Sequence, residues 1–293
     1  MLLKILDFNL DQLQKIYTPG SGSQVELWQL IMGTQIHIGG MEQSLLMAAR
    51  AGIKERAEEA HKTGKNLTIL DVCSAYGSSL RLLVSHFPHV VGVGLDGTDY
   101  MVEKAKAATE QEGLTDKVRY ILADVSCDFA DIIDTPIDVV WGEDAWAYIT
   151  NKENIIKNAA QILAPGCILA FSDWLEGEKG LSDDESERIC KFMHFPYMES
   201  IKTYVNYIEK HGFKLIAVED LNRDYADFMK MYIKMLTNQL TYDALQIIKK
   251  NENLQSLEEA MEVFKFLVRE MQNMSEQATD HRLTRGRFIA VRL

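Results

Sequence analysis

Several motifs are missing from this 293-residue chain, and their absence removes whole classes of function. Its four cysteines form no C-x-x-C pair, so the spacing of a redox or zinc motif is lacking. Neither H-E-x-x-H nor G-x-S-x-G occurs, which argues against a zinc peptidase and a serine hydrolase. We therefore expect no metal site and reduced, mostly buried thiols.

The chain also lacks long apolar runs and clusters of basic residues. No apolar stretch approaches the length of a membrane span, and the N-terminal ten residues do not form a signal peptide. The formal net charge of −12 would repel a phosphate backbone. These features predict a soluble cytoplasmic protein that binds neither nucleic acid nor membrane, and they leave a homodimer open.

What the chain does have is the composition and patterning of an α/β protein. With 47% hydrophobic and 25% charged residues it can bury a full core. Short β-rich runs alternate with segments of helical spacing, which favours a parallel sheet with crossover helices. The predicted strands are 67–72, 90–95, 118–123, 137–142, 167–172, 213–220 and 285–293.

Helical segments surround this sheet. We predict an N-terminal helical cap over residues 1–60, broken by a loop at 18–23, and a main domain over residues 61–293. That domain carries helical inserts at about 175–210 and 224–277. Because doubly wound sheets bind ligands beyond the carboxyl ends of their strands, the cleft should lie there, partly covered by the cap and inserts.

The turn after the first strand resembles a nucleotide-binding loop that has lost glycines. The usual D-x-G-x-G-x-G spacing reads here as Asp71, Cys73, Ala75 and Gly77, and only the last glycine remains. Cysteine and alanine are small, so the loop would tolerate them if its ligand had no pyrophosphate. This favours a ligand with a small amino-acid end over NAD or FAD.

Two further acids follow the next strands. Asp96 ends the second strand, where a carboxylate accepts hydrogen bonds from both ribose hydroxyls. Asp124 ends the third strand, where a carboxylate can accept from an adenine amino group. Each could instead cap a helix or a turn, but together with the loop they indicate a nucleoside site.

The segments LDVCSAYG, VGLD, LADV, IDVVWGEDAWAYI and ILAPGCILAFSDW together resemble the class I S-adenosylmethionine-dependent methyltransferases. IHIGG, DAWAYI, SDW and KTYVNYIEKHGF are similar to the sarcosine/dimethylglycine and phosphoethanolamine N-methyltransferases, although tocopherol-type C-methyltransferases share much of this pattern. The resemblance implies a Rossmann-like seven-stranded sheet, six strands parallel and the last antiparallel, with helices on both faces. It also implies S-adenosylmethionine as the cofactor.

The resemblance assigns cofactor roles to matching positions. The loop would line the methionine end, Asp96 the ribose, and Asp124 with Val125 the adenine. The cap glycines would close over the cofactor. The predicted cofactor residues are Gly39, Gly40, Asp71, Cys73, Ala75, Gly77, Asp96, Gly97, Asp124, Val125 and Glu143.

The pattern says less about the residues that would bind the methyl acceptor, the molecule that receives the methyl group. Tyr17, His37 and Tyr148 are the candidate catalytic residues, since they could position an acceptor and take its proton. Aromatic and acidic side chains could stabilise a methylated cation, although many aromatics here could simply pack the cap on the sheet. The predicted substrate residues are Trp28, Asp144, Trp146, Trp174, His194, Tyr197 and Tyr204.

Two departures from the phosphobase enzymes narrow the acceptor. Tyr148 stands where those enzymes have a histidine, and Phe195 and Pro196 replace an arginine that would bind phosphate. The preferred hypothesis is therefore methyl transfer to the nitrogen of a small-molecule, sarcosine- or dimethylglycine-like amine by in-line displacement. Transfer to oxygen, sulfur or carbon, or a non-catalytic binding protein of this fold, are the alternatives.

Overall fold

The computed structural model describes residues 23–293 and shows one mixed sheet. Tyr17 and most of the predicted 18–23 loop lie outside this range. The strands are β1 (Leu67–Val72), β2 (Val90–Asp96), β3 (Val118–Leu122), β4 (Ile137–Glu143), β5 (Leu163–Glu176), β6 (Glu199–Ser200), β7 (Phe213–Asp220) and β8 (Leu283–Arg292).

The sheet has the order β3-β2-β1-β4-β5-β8-β7. Neighbours from β3 to β5 pair in parallel, whereas β8 is antiparallel to both β5 and β7. The predicted seven-stranded sheet with an antiparallel last strand is confirmed, and a two-residue β6 additionally pairs with the end of β5. The strand order reverses between β1 and β4, which is where such sheets bind ligands.

Helices lie on both faces of the sheet and above its carboxyl-end edge. None of those in the described range is long and apolar enough to cross a membrane. They are α1 (Ser23–Met32), α2 (Gly40–Ala51), α3 (Ile53–Lys62), α4 (Ser78–His86), α5 (Asp99–Gln111), α6 (Phe129–Ile132), α7 (Lys152–Ile162), α8 (Asp183–Met193), α9 (Ile201–Lys210), α10 (Asn222–Asn238), α11 (Thr241–Asn251) and α12 (Leu257–Thr279).

Three large apolar clusters hold these layers together, beside a small fourth one of Val25, Tyr76 and Met101. One lies on each face of the sheet, with Leu70 and Phe171 in the first and Ile69 and Trp141 in the second. The third joins α1 to α8 and α10–α12. This last cluster fixes α1 above the strand ends, because α1 buries its apolar side against the late helices, whereas α2 and α3 pack on one face of the sheet.

Strand β5 is longer than the sequence pattern predicted. It continues to Glu176, because Trp174 and Leu175 pair with β8 and the end of β5 also pairs with β6. The helical insert therefore begins at Asp183 rather than near residue 175. The stretch expected at 224–277 consists of three helices, α10–α12, packed on one another.

A buried polar network fixes the short 3₁₀ turn Trp146–Tyr148 that follows β4. Asp173 accepts from the Ala147 amide at 2.9 Å and from the Tyr204 hydroxyl at 2.6 Å. Lys152, which has no exposed surface, donates to the carbonyls of Ile149 and Tyr197 at 2.9 and 3.0 Å. Burial raises the pKa of Asp173 to about 7, although these hydrogen bonds oppose the rise.

This raised pKa predicts a pH dependence of stability. Native Asp173 keeps its proton up to about pH 7, whereas the unfolded carboxyl releases it near pH 3.8, so its contribution to stability is lost as pH rises through this window. Urea unfolding between pH 4.5 and 7.5 should show a flatter slope for Asp173→Asn than for the wild type. The exposed Asp131→Asn serves as the control, and identical slopes for Asp173→Asn and wild type would contradict the assignment.

Candidate active site

A cavity of about 440 Å³ lies between α1 and the carboxyl ends of β1, β2 and β4. The turn before α2 closes one side, and Trp174 and Met193 close another. Thirteen of the residues singled out from the sequence line it: Trp28, His37, Asp71, Cys73, Ala75, Asp96, Gly97, Asp124, Val125, Glu143, Asp144, Tyr148 and Trp174.

The loop after β1 keeps the backbone of a glycine loop although two of its three glycines are replaced. Cys73 and Ala75 have φ angles of 64° and 45°, in the left-handed region that glycine favours. Each such residue costs roughly 1–2 kcal/mol relative to glycine. The loop therefore keeps its shape at the cost of backbone strain. Because both side chains are small, they still leave room for a ligand.

Asp96 and this loop hold each other in place. The Ala75 and Thr98 amides donate to the two carboxylate oxygens of Asp96, at 2.8 and 2.9 Å. Burial raises the pKa of Asp96, while these hydrogen bonds oppose the rise. Since each carboxylate oxygen has a second lone pair, Asp96 can still accept from a diol.

The other two strand-end acids lie in opposite environments. Asp71 is only 3% exposed, and burial together with the nearby Glu143 and Asp96 raises its pKa well above the usual range. Asp124 is exposed, and the Ser126 amide, which donates to it at 2.8 Å, lowers its pKa. Asp71 is therefore suited to an interior position beneath the ligand, and Asp124 to the rim.

Glu143 is positioned by two elements that are far apart in sequence. Ser44 of α2 donates its hydroxyl toward both carboxylate oxygens at 3.0 Å, and the Trp141 indole donates at 3.1 Å. His37 Nε2 lies 2.9 Å from Ser44 Oγ and 3.6 Å from Glu143 Oε1. The cap histidine and the acid after β4 are thus joined through Ser44.

Asp144 is largely committed to the fold. Its carboxylate accepts from the Ile38 amide at 3.0 Å, from the Ser172 hydroxyl at 2.8 Å and from Arg285 Nε at 2.6 Å. Most of the acceptor capacity of Asp144 is thus used within the protein, and its contact with substrate stays a prediction. Its position on the cavity wall reflects its role in anchoring the cap.

Four of the predicted substrate residues do not line the cavity. Trp146 is fully buried, stacked on Phe171 at 4.2 Å, and donates to the Val72 carbonyl. Tyr204 is fully buried beneath the site against Asp173. These two are corrected to packing and support roles, because their side chains point into the core. His194 and Tyr197 instead line an adjoining groove, which shares Tyr148 with the cavity.

The remaining three glycines shape the walls without lining the cavity. Gly39 and Gly40 have φ angles of 81° and 55° and start α2; a Cβ on Gly39 would crowd Phe228. Gly77, at φ 68°, starts α4, where a Cβ would overlap the Tyr120 ring. These glycines therefore turn the chain beside the cavity, and their direct contact with the cofactor stays a prediction.

Some residues at or behind this site were missed from the sequence. Gln35 lines the cavity and links the cap to the loop by donating to the Ser78 carbonyl at 2.9 Å. Ser74 lines it from the loop itself, while Ser44 and Arg285 lie behind the wall. No sequence signal pointed to Ser44, because His37 precedes α2 and helical periodicity does not relate the two positions.

The donors and acceptors present fit S-adenosylmethionine. Ser74 Oγ is buried in the loop and has no hydrogen-bond partner within the described part of the chain, so it can serve an amino-acid end. The carboxylate of Asp96 suits a ribose, and Asp124 and Val125 flank the place expected for a base. Among residues 23–293, no group of three His, Cys, Asp or Glu side chains could hold a metal ion.

Residues 69–166 match a family model described as a methyltransferase domain. The sarcosine/dimethylglycine N-methyltransferase of Aphanothece halophytica is 21% identical over 243 residues, covering 80% of this chain and 83% of the relative. Together these matches support a class I S-adenosylmethionine-dependent methyltransferase. This confirms the resemblance drawn from the sequence, together with the cofactor that it implied.

Other relatives of this methyltransferase differ in the atom that is named as methylated. The tocopherol O-methyltransferase of Arabidopsis thaliana is 24% identical over 71% of this chain and 65% of the relative. The sterol 24-C-methyltransferase of Yarrowia lipolytica is 28% identical over 57% and 45%. The chain thus spans about two thirds or less of the length of these relatives.

A solved structure shows the same fold. The phosphoethanolamine N-methyltransferase 2 of Haemonchus contortus, in complex with S-adenosyl-L-methionine, superposes with a TM-score of 0.75. The match is 19% identical and covers 93% of this chain and 57% of the other. At this identity the likeness establishes the fold and leaves the acceptor to be argued from the site.

Asp96 offers a direct test of the nucleoside position. Replacing Asp96 with alanine should weaken binding of S-adenosylhomocysteine by about 1–3 kcal/mol, or roughly 5- to 150-fold, because hydrogen bonds to a charged acceptor are lost. Calorimetric titration measures this change. Asp116→Ala, an exposed aspartate before β3, should bind like the wild type. Unchanged affinity in Asp96→Ala would place the ribose elsewhere.

Proposed function

We propose that this protein transfers the methyl group of S-adenosylmethionine to the nitrogen of a small-molecule amine. The observation that carries the proposal is the charge of the cavity wall. Within the described range, Asp96, Asp124 and Glu143 line it, and no lysine or arginine does. Asp71, whose pKa is raised well above the usual range, and Asp144, which is paired with Arg285, also line it but add little negative charge. An acidic wall favours a cationic ligand and disfavours one that carries a phosphate.

The proposed cofactor contacts follow the cavity from one end to the other. The loop amides and Ser74 would hold the methionine end, Asp96 the ribose, and Asp124 with Val125 the adenine. Glu143, whose side chain is 3% exposed, would lie near the amino and sulfonium end. When bound, the cofactor supplies an electrophilic methyl group on a positively charged sulfur.

The acceptor would lie between the cap and the aromatic residues near the carboxyl ends of β4 and β5. Trp28, Tyr148 and Trp174 line this part of the cavity and offer ring faces to an ammonium. Tyr148 is 38% exposed as a residue, yet burial, followed by the nearby carboxylates of Asp173 and Asp144, raises the pKa of its hydroxyl. Tyr148 therefore remains a neutral phenol that can orient the acceptor while the cap excludes water.

A phosphorylated acceptor is poorly supported by the same site. Lys152 is the buried cation nearest to Tyr148 in sequence, but its ammonium is already committed to two carbonyls and to the ring of Tyr197, 3.6 Å away. Arg285 is committed to Asp144. Neither is available to neutralise a phosphate, so amines without one are the preferred class.

A second candidate is methyl transfer to carbon in an apolar acceptor. Val25, Met32, Ile36 and Ile38 make the cap side of the cavity apolar. Addition of a methyl cation to an alkene creates a carbocation, which the same rings and carboxylates would stabilise. Acceptor shape and the reacting atom, rather than wall charge, would then distinguish the two candidates.

Formation of S-adenosylhomocysteine with a panel of acceptors tests the proposal. Sarcosine, dimethylglycine and secondary amines without a carboxylate should be turned over, and phosphoethanolamine should be at least about tenfold poorer in kcat/KM, the equivalent of about 1.4 kcal/mol. Phenols, thiols and an isoprenoid alkene complete the panel. Turnover confined to the phenols, the thiols or the alkene would show that the methyl group is transferred to oxygen, sulfur or carbon and not to nitrogen. Absence of S-adenosylhomocysteine binding at millimolar concentration would leave a non-catalytic protein.

A further inference from the structure

Three buried side chains from different elements form a relay at the cavity wall. His37 is 5% exposed, Ser44 has no exposed surface, and the Glu143 side chain is 3% exposed. Ser44 Oγ lies 3.0 Å from each oxygen of Glu143 and 2.9 Å from His37 Nε2. The hydroxyl is therefore the only one of the three groups that touches both others by hydrogen bonds.

The number of available protons fixes the direction of these bonds. An ionised carboxylate only accepts, and Trp141 already donates to Glu143, so the single hydroxyl proton of Ser44 goes to Glu143. The contact between Ser44 Oγ and His37 Nε2 then requires a hydrogen on Nε2. In a neutral imidazole this leaves Nδ1 without a proton.

The other ring nitrogen has nothing to bind in the described part of the chain. His37 Nδ1 is buried and lacks a hydrogen-bond partner there, while His37 itself lines the cavity. A buried acceptor without a donor is unfavourable, so a ligand N–H or O–H in the cavity would satisfy it. Nδ1 is the nitrogen that the relay leaves for such a ligand.

We propose that Glu143 and Ser44 hold His37 as the Nε2–H tautomer, so that Nδ1 is the base that accepts the proton of the acceptor. This inference rests on the proposed function. An amine acceptor would enter as an ammonium ion: its N–H bond breaks, the electron pair stays on nitrogen, and the proton forms a new bond to Nδ1. The freed lone pair would then bond to the methyl group, whose bond to the cofactor sulfur breaks with its electron pair staying on sulfur. The resulting imidazolium lies 3.6 Å from the carboxylate of Glu143, which stabilises it.

The hydrogen bonds of this relay run in the opposite direction to those in a serine hydrolase. In a Ser-His-Asp triad the serine donates to histidine and attacks as a nucleophile. Here Ser44 donates to the acid and accepts from histidine, so its oxygen gains no nucleophilic character. Ser44 and Glu143 are positioning residues, and His37 is the group that meets the acceptor.

Nitrogen-15 NMR of the free protein tests the tautomer without any turnover. Wild-type His37 at neutral pH should show a protonated Nε2 and an unprotonated Nδ1, with the signals assigned through His37→Gln. Glu143→Gln should reverse the tautomer, because the new amide donates to Ser44 and Ser44 then donates to Nε2. A wild-type Nδ1–H tautomer, or a doubly protonated ring, would overturn the inference.

Glu153→Gln provides a matched control. Glu153 also contacts a histidine: its carboxylate lies 2.7 Å from Nε2 of His211. This pair lies at the end of α9, away from the cavity. Glu153→Gln should alter the signals of His211 and leave those of His37 unchanged. A change at His37 in this variant would show that the shifts report general structure and would remove support for the relay.

Kinetics then tests the role of Nδ1 as a base. His37→Gln keeps a donor to Ser44 but has no Nδ1, so kcat should fall about 10²- to 10⁴-fold with S-adenosylhomocysteine affinity unchanged. Ser44→Ala should lower kcat about tenfold with little change in KM. Undiminished kcat in His37→Gln would refute the base. If no amine is turned over yet the tautomer is as expected, the proposed function fails and the tautomer assignment stands.

Discussion

The buried ion pair between Asp144 and Arg285 is the interaction on which the site depends. Both side chains are 3% exposed, and the remaining acceptor capacity of Asp144 is used by the Ile38 amide and the Ser172 hydroxyl. Loss of one partner from such a pair typically costs about 3–5 kcal/mol, because a charge is left buried. The pair therefore locks the cap turn to β5 and β8, and with it places His37 over the strand ends.

The loop after β1 shows a second constraint, in which backbone conformation is kept while residue type changes. Cys73 and Ala75 hold left-handed angles that are unfavourable for them, and the Ala75 amide bound to Asp96 is one of the contacts that hold the loop. Burial raises the pKa of Cys73 well above that of an ordinary thiol, with Asp96 adding to the rise. Cys73 is thus a neutral wall residue rather than a reactive thiolate.

Much of this arrangement was predictable because it follows from the sheet. Parallel strands bring their carboxyl ends to one edge, so Asp71, Asp96 and Asp124 had to converge. The partners of the cap were not predictable, since Ser44 and Arg285 meet the acids after β4 only through tertiary packing. Trp146 and Tyr204 were predicted to bind substrate as part of an aromatic cluster at the acceptor end, but periodicity does not give side-chain direction in a short turn or against a buried acid.

Hydrogen exchange with and without S-adenosylhomocysteine tests the central claim that the ligand binds between the anchored cap and the strand ends. Binding should slow exchange in three separate segments, 73–79, 96–98 and 35–40, because the loop, the ribose acid and the cap would share one ligand. Strand β7 lies at the opposite edge of the sheet from β1 and β2, so peptides that cover it should exchange as in the free protein. Protection confined to other segments, or none at saturating ligand, would contradict this account.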